Sequence, residues 1–444
     1  MLRREALREY AGGALWILPG VFGTLAVGAA VVLSSIDPAP GTFFARIAFQ
    51  GSPDDARTLV LAITGTVVTV IALVLGLSVV ALQLSSTEFS PRLLRNFLRD
   101  RPNQVALSVF LANFAYCATL LFTVGVGANP EDYPRLAVSG SILLLFASMG
   151  MVLYFADHLQ HSLLVEAIMR RVERDARAVI RHAPRDVELD PPQAPPWAVP
   201  VPAMSSGYVQ TTHPELLLPL AVRHGVSMAL TTGVGQHVTL GSPLAVVWRP
   251  SEDAPQPDLE AIKTELAIDV GIGFERTRQE DVAFGIRQLV DVAVKALSPA
   301  INDPYTAIQA IQHMSTIFSL MAAIPLGPRV ARDPDGDSVV VVPSRVYGQY
   351  LGKMCGLVRR YGSAEPNVMT ALLYLLGNAA RVARRDRARL EAIGEQARLI
   401  ADDAERSIAQ PADAALVLSY AEDFQETLAG YLEELERVPD EASE

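Results

Sequence analysis

The chain has 444 residues, half of them hydrophobic, and a formal net charge of -11. This length allows two or three domains, and the negative balance, which includes the acidic end EELERVPDEASE, argues against nucleic acid as a partner. Cys117 falls in a strongly apolar segment and Cys355 does not, so we expect no disulfide between them, as in a reducing compartment.

Four long segments without a formal charge occupy the first third of the chain, each of 21 residues or more. About 20 apolar residues of helix cross a bilayer core, so we predict four transmembrane helices within residues 1–157. A cleaved signal peptide or a buried soluble helix imitates one such segment but not four in succession. The segments lie between Glu9 and Asp37, Arg57 and Glu88, Arg101 and Glu131, and Arg135 and Asp157.

The arginines that flank these segments predict their orientation. Seven lie before the first segment or in the second loop, and three lie in the first and third loops. Positively charged loops stay in the cytoplasm, so we expect both termini and everything after residue 157 to be cytoplasmic. The seven are Arg3, Arg4, Arg8, Arg92, Arg95, Arg99 and Arg101, and the three are Arg46, Arg57 and Arg135.

The predicted spans contain no Asp, Glu, Lys, Arg or His, which argues against a proton-coupled transporter, because such a protein needs titratable groups at depth. Their many small and hydroxylated residues favour close helix packing, and a weakly polar pore lining is the alternative. Asn113 and Tyr116 are predicted to form hydrogen bonds between helices.

Residues 158–183 predict a juxtamembrane helix with a basic stripe on one face. Each arginine near an anionic leaflet contributes about 1 kcal/mol of attraction. A vestibule that gathers anions, or a solvated face with Glu173 and Asp175 as local partners, are the alternatives. His158 and His161 lack a third ligand nearby, so we predict no metal site. The stripe consists of Arg170, Arg174, Arg177 and Arg181.

Residues 184–202 contain seven prolines and are predicted to form a linker. Short β-branched segments separated by turn residues then predict a small, β-barrel-like domain over residues 203–275. Within it, VGQHVTLGSPLAVVW resembles the turns and strands of lipoyl-like barrels. The three lysines of the chain are not placed at a hairpin tip there, so we exclude a swinging-arm carrier.

Helical periodicity dominates residues 276–437, which we predict to be a mostly helical cytoplasmic domain, with an acidic tail over residues 438–444. The sequence SPAIND separates two helices of this domain. Asp303 is placed to cap the second helix, and Pro304 fits its first position. We therefore predict that SPAIND is the elbow of a helical hairpin.

The elbow is also the best candidate for a ligand site. Free N–H groups at the start of its second helix attract anions, and Arg276 and Thr277 complete such a site if the β-rich domain packs there, with Asn302 and Asp303 in the same corner. The alternative is structural: Asp303 caps its helix, Arg276 pairs with a carboxylate, and the motif maintains the angle of the hairpin.

Three phrases carry a resemblance to a known family: GYVQ, FERT and the long AFGIRQLVDVAVKALSPAINDPYTA, all behind four apolar segments. The chain resembles a bacterial family of predicted membrane proteins whose common domain has no known function. The resemblance covers nearly the whole chain. It implies this topology in the bacterial cytoplasmic membrane, and it provides no catalytic residues.

The sequence does not predict an enzyme or a cofactor, since it has no Walker loop, dinucleotide fingerprint, His-Glu-x-x-His or nucleophile elbow. Two functional classes follow. In the first, a homo-oligomer encloses a path for an ion or small solute, with a cytoplasmic vestibule. In the second, the spans anchor a cytoplasmic sensor or scaffold that does not conduct.

Overall fold

A computed structural model describes residues 16–38, 41–88, 101–124, 133–162, 164–183, 187–276 and 281–437. The chain divides into two compact units, Met1–Ile168 and Met169–Glu444. We refer to them as the N-terminal and C-terminal units.

The N-terminal unit contains four helices that are long and apolar enough to cross a membrane, which confirms the number of spans predicted from the sequence. A short helix lies in the loop between the first two. The helices are α1 (Ile17–Ser34), α2 (Phe43–Ile47), α3 (Pro53–Glu88), α4 (Arg101–Leu121) and α5 (Arg135–Ser162).

Helix α4 lies at the centre of this unit. In the most apolar stretch of each span, 50% of α4 is buried, against 22 to 28% for the other three spans. Phe110, Cys117 and Leu120 are fully buried on α4 and pack in one apolar core with residues from the other spans. The other spans expose large aliphatic side chains, as expected of surfaces that face lipid.

Polar side chains inside the N-terminal unit form hydrogen bonds between α4 and α5, as predicted. The Asn113 amide donates to Ser148 Oγ at 2.8 Å, and Tyr116 Oη donates to the Ala137 carbonyl at 2.8 Å. Gly140 permits this second contact, because a Cβ atom at that position would overlap the tyrosine hydroxyl. These polar groups are therefore satisfied within the unit.

Residues 158–183, predicted as one juxtamembrane helix, are divided between two helices. Helix α5 ends at Ser162, and helix α6 (Val165–Arg181) begins three residues later. Within the C-terminal unit, one face of α6 is buried. Ala176 on this face lies against Gly285, where an added Cβ would meet the alanine Cβ at 3.4 Å.

Within the part of the C-terminal unit that the structure describes, eight strands form two sheets. A five-stranded sheet has the order β1-β5-β3-β8-β7, with a parallel β3–β8 pair and antiparallel neighbours elsewhere, and a three-stranded antiparallel sheet has the order β4-β2-β6. The strands are β1 (Val199–Pro202), β2 (Gly207–Thr211), β3 (Ser227–Leu230), β4 (His237–Val238), β5 (Pro243–Trp248), β6 (Gly271–Gly273), β7 (Arg329–Arg332) and β8 (Val339–Val342).

These open sheets correct the expectation of a small barrel: the described strands show no closure. Strands β7 and β8 belong to the same sheet as β3, although they lie about 100 residues further along the chain than β3. They are therefore outside the predicted domain of residues 203–275. Strand β1 begins at Val199, inside the segment predicted as a linker over residues 184–202. Which short strands pair in a sheet depends on tertiary contacts, and turn residues in the sequence do not predict this pairing.

Helices complete the C-terminal unit. Two of them, α7 and α8, cover an apolar core with the strands. The others include the predicted hairpin, α9 and α10, and four helices that follow β8. The helices are α7 (Pro214–Arg223), α8 (Leu259–Asp269), α9 (Val282–Ala296), α10 (Pro304–Met321), α11 (Tyr347–Gly362), α12 (Pro366–Ala383), α13 (Arg387–Ser407) and α14 (Pro411–Arg437).

Candidate functional site

The SPAIND elbow joins α9 to α10 as the sequence predicts. Asp303 is the N-cap of α10: its Oδ1 accepts from the Thr306 N–H at 3.1 Å, and its Oδ2 accepts from the Thr306 hydroxyl at 2.5 Å. These hydrogen bonds, with the side-chain one foremost, lower the pKa of Asp303. Asn302 is exposed with a φ of 51°, a left-handed conformation in which asparagine is enriched.

At the other end of α9, an ion pair between a partly exposed arginine and a buried aspartate holds the chain. Asp281 is the N-cap of α9, with 3% of its side chain exposed, and its Oδ1 accepts from the Phe284 N–H at 3.1 Å. Its Oδ2 accepts from Arg276 Nε at 2.8 Å and from Nη2 at 2.5 Å. The Arg276 guanidinium also lies over the Phe284 ring, 5.4 Å from the centroid. Burial raises the pKa of Asp281, although the arginine and the N–H oppose this effect.

The loop between β3 and β4 packs directly on this ion pair. Gly235 has a φ of +76°, and a Cβ there would overlap the Asp281 carboxylate and the Arg276 guanidinium. Gly233 in the same loop lies equally close to the Pro343 carbonyl, just after β8. Glycines are therefore needed for this loop to lie between the ion pair and the segment that leads into α11.

Two further cations act on the same ion pair. Arg345 precedes α11 and lies over the Tyr350 ring, 5.8 Å from the centroid. Its charge opposes the rise in the pKa of Asp281, and, with burial and Arg276 as lesser causes, it lowers the pKa of Lys353 on α11. We call the set of Arg276, Asp281, Arg345 and Lys353 the cation corner.

Of the residues predicted as a ligand site, the structure does not bring Arg276 together with Asn302 and Asp303. Arg276 lies at the start of α9, whereas Asn302 and Asp303 follow its end, and a helix of 15 residues separates its ends by about 22 Å. Thr277 lies outside the described residues. Arg276 and Asp303 have the structural partners that the alternative interpretation expected, and ligand binding by these residues stays a prediction.

The basic stripe on α6 is exposed along its length, opposite the buried residues of that helix. Arg177 pairs with Glu173 at 2.8 Å, and Glu173 also forms a hydrogen bond with His313 of α10. A contact with lipid or with anions stays a prediction for this stripe, which consists of Arg170, Arg174, Arg177 and Arg181.

Sequence reasoning missed the residues that complete the cation corner. Asp281 had a local signal, an aspartate directly before a periodic apolar run, which is typical of an N-cap. Arg345 and Lys353 had none, because they lie more than 60 residues from Asp281 along the chain and only tertiary packing brings them near it. Among the described residues, no group of three or more His, Cys, Asp or Glu side chains is arranged to hold a metal ion.

The four apolar helices and the α+β unit that follows them define a multi-pass membrane protein. The chain belongs to the family described as "Predicted membrane protein (DUF2254)", which matches residues 13–378 and whose function is unknown. Uncharacterized proteins of Mycobacterium bovis and Mycobacterium tuberculosis are each 40% identical over 434 residues, covering 94% of this chain and 81% of each relative. No solved structure matches the chain significantly.

Proposed function

We propose that this protein is a membrane-anchored sensor whose spans hold the C-terminal unit at the membrane and whose cation corner binds an anion. The observation that carries this proposal is the excess of positive charge at the corner: Arg276 and Arg345 act on the carboxylate of Asp281, and Lys353 lies near both arginines. The guanidinium of Arg276 is already hydrogen-bonded to Asp281, so Arg345 and Lys353 are the groups that an anion contacts.

Electrostatics supports this assignment. Arg345 and Arg276 lower the pKa of Lys353, because neighbouring positive charges disfavour its protonated form. A bound anion relieves this repulsion. Arg345 is half-buried and Lys353 is exposed, so an anion reaches both without unfolding the corner. Arg345 directly precedes α11 and Lys353 lies on it, so binding can change how this helix packs.

The packing of the N-terminal unit supports an anchor rather than a path through a single subunit. Its described core is mainly apolar, with Asn103, Gln104 and Ser108 as further buried polar residues, and the amide of Asn113 is bonded to Ser148. Exposed threonines on α3 donate to their own helix, such as Thr66 to the Ala62 carbonyl at 2.8 Å. A hydroxyl that is satisfied in this way tolerates lipid.

The test is anion binding by the full-length protein in lipid nanodiscs. We expect calorimetric titration with pyrophosphate to show binding, and Arg345→Gln or Lys353→Gln to weaken it about tenfold each, since hydrogen bonds to charged groups contribute about 1.5 kcal/mol or more. Lys263→Gln is the matched control, because this lysine pairs with Glu260 on α8. No binding, or equal affinity in all variants, would contradict the proposal.

A homo-oligomeric conduit is the second candidate, favoured by one face of α3. Six small residues recur there at steps of four and three, and every one of them is exposed. Small residues at this spacing allow helices of neighbouring subunits to approach closely in a membrane. The residues are Thr58, Ala62, Gly65, Thr69, Ala72 and Gly76.

Oligomeric state and ion flux test this second candidate. An added Cβ at Gly65 or Gly76 meets no atom within 4 Å, so leucine there leaves the subunit intact and blocks only association. Gly28→Leu on α1 is the control, because its surroundings are equally open. A conduit requires that wild-type liposomes conduct and that the α3 variants do not. Neutralising Arg170, Arg174 and Arg177 together would then change conductance or anion preference.

A further inference from the structure

A groove between α12 and α14 is lined by aromatic side chains, and none of its lining residues belongs to the cation corner. Its volume is about 280 Å³. Tyr374 on one helix and Tyr420 on the other stand at its edge, with ring centroids 5.8 Å apart and planes inclined by 52°. Phe424 and Tyr431 continue the aromatic wall along α14. The two tyrosines at the edge are 60% and 39% exposed.

The space at the bottom of the groove is open because α12 has a glycine, Gly377, at this position. Gly377 faces Phe424, and a Cβ at this position would lie 3.9 Å from the ring, an ordinary contact. The absence of a longer side chain therefore leaves the space open. A glycine within a helix costs about 1 kcal/mol relative to alanine, and no close contact or left-handed φ of the backbone requires one here.

A guanidinium lies at one end of the aromatic wall. Arg381 lines the groove, and its Nη2 donates to Asn378 Oδ1. The amide of Asn378 in turn donates to Ser315 Oγ on α10 at 3.0 Å, which connects the arginine to the core of the unit. A guanidinium has five N–H donors in a planar fork that matches a carboxylate, so this arrangement leaves donors for a ligand.

We propose that this groove binds a small planar aromatic carboxylate, with its rings against the wall of Tyr374, Tyr420 and Phe424 and its carboxylate on Arg381. The volume lies just below the range of about 300–1,000 Å³ that is usual for drug-sized ligands, so one or two fused rings fit it. Aromatic walls favour a flat ring over an aliphatic chain, and the single cation favours one negative charge.

Calorimetric titration of the full-length protein in lipid nanodiscs with naphthoate tests this proposal. We expect saturable binding beyond that of empty nanodiscs. Naphthamide, which has the same rings and no charge, and the Arg381→Gln variant with naphthoate should each show about tenfold weaker binding. Gly377→Leu fills the groove and should abolish binding, whereas Gly430→Leu, at an open position on α14, should bind as the wild type does.

Two outcomes would overturn the proposal. Naphthoate binding that Gly377→Leu leaves unchanged would show partition into lipid or binding at another place. If naphthoate does not bind but Gly377→Leu and Tyr374→Ala dissociate an oligomer, the groove is a contact between subunits. Arg345→Gln, which removes a charge of the cation corner, should leave naphthoate affinity unchanged, so failure at one site is distinguished from failure at the other.

Discussion

Asp281 has two structural roles, one for each oxygen of its carboxylate. One carboxylate oxygen caps α9 through Phe284, and the other accepts two hydrogen bonds from Arg276. Because the side chain is buried, its loss leaves an arginine without its partner as well as a helix without its cap. Asp281 therefore links the segment after β6, which contains Arg276, to the start of the α9–α10 hairpin.

We expect Asp281→Ala to lower the free energy of unfolding of the C-terminal unit by about 3 kcal/mol, the lower end for breaking a buried ion pair. Urea unfolding followed by the fluorescence of Trp197 and Trp248 measures it. Asp258→Ala is the matched control, since Asp258 is an exposed cap of α8 and its loss should cost about 1 kcal/mol. Equal losses in the two variants would show that the pair with Arg276 adds nothing.

The pH dependence of the same residue has a defined sign. Burial raises the pKa of Asp281 above its ordinary 3.8, so the folded protein binds this proton more tightly than the unfolded chain. The part of its contribution that depends on protonation is then fully present below that value and is lost as the pH rises through the raised pKa, whereas the cap and the pair with Arg276 that Asp281→Ala removes persist at neutral pH. The stability of the wild type relative to Asp281→Asn should increase as the pH falls. A difference that shrinks in acid would contradict the direction of the shift.

Gln288 on α9 is 1% exposed, and neither its Nε2 nor its Oε1 bonds to any described group. A buried amide without partners costs about 1–3 kcal/mol. We expect Gln288→Met, which keeps the length of the side chain, to raise the free energy of unfolding by about 1 kcal/mol. Unchanged or lower stability in the same urea experiment would show that the amide is satisfied in the native protein.

At the scale of elements, the α9–α10 hairpin depends on its elbow. The Asp303 N–H donates to the Ala296 carbonyl at 2.8 Å, and its carboxylate caps α10 through Thr306. Asn302 provides the left-handed residue that the turn requires. These contacts explain the SPAIND motif by the geometry of the turn.

We expect Asp303→Ala to cost about 1 kcal/mol at neutral pH through the lost cap. The lowered pKa of Asp303 means that its contribution is present above the ordinary 3.8 and is lost as the pH falls through the folded value, so the difference from wild type should shrink in acid. Thr306→Val removes one of the two bonds and should have a smaller effect. Lost pyrophosphate binding at wild-type stability would instead show that the elbow is a ligand site.

At the scale of the whole molecule, the even number of spans predicts that the segments before the first span and after the last lie on one side of the membrane. We expect the C-terminal unit to be cytoplasmic, from the excess of arginines before the first span and in the second loop. A membrane-impermeant maleimide should label Asp54→Cys, in the first turn of α3 directly after the first loop, in intact cells. It should label Glu434→Cys only after permeabilisation.

Both positions suit this experiment because both side chains are exposed, while the native cysteines Cys117 and Cys355 are buried. Labelling of the wild type serves as the blank. Reaction of Glu434→Cys in intact cells would reverse the orientation and would place the cation corner and the aromatic groove outside the cytoplasm.

Local physics determined much of this protein. Lipid demands long uncharged helices, so composition alone revealed the four spans, and an aspartate before Pro304 revealed the cap of α10. Only the tertiary structure decided what depends on distant contacts: the open sheet in which β3 pairs with β8, the approach of Arg345 to Asp281, and the groove between α12 and α14. Caps and periodicities are properties of neighbouring residues, whereas a strand pairing or a pocket is a property of segments that meet only when the chain folds.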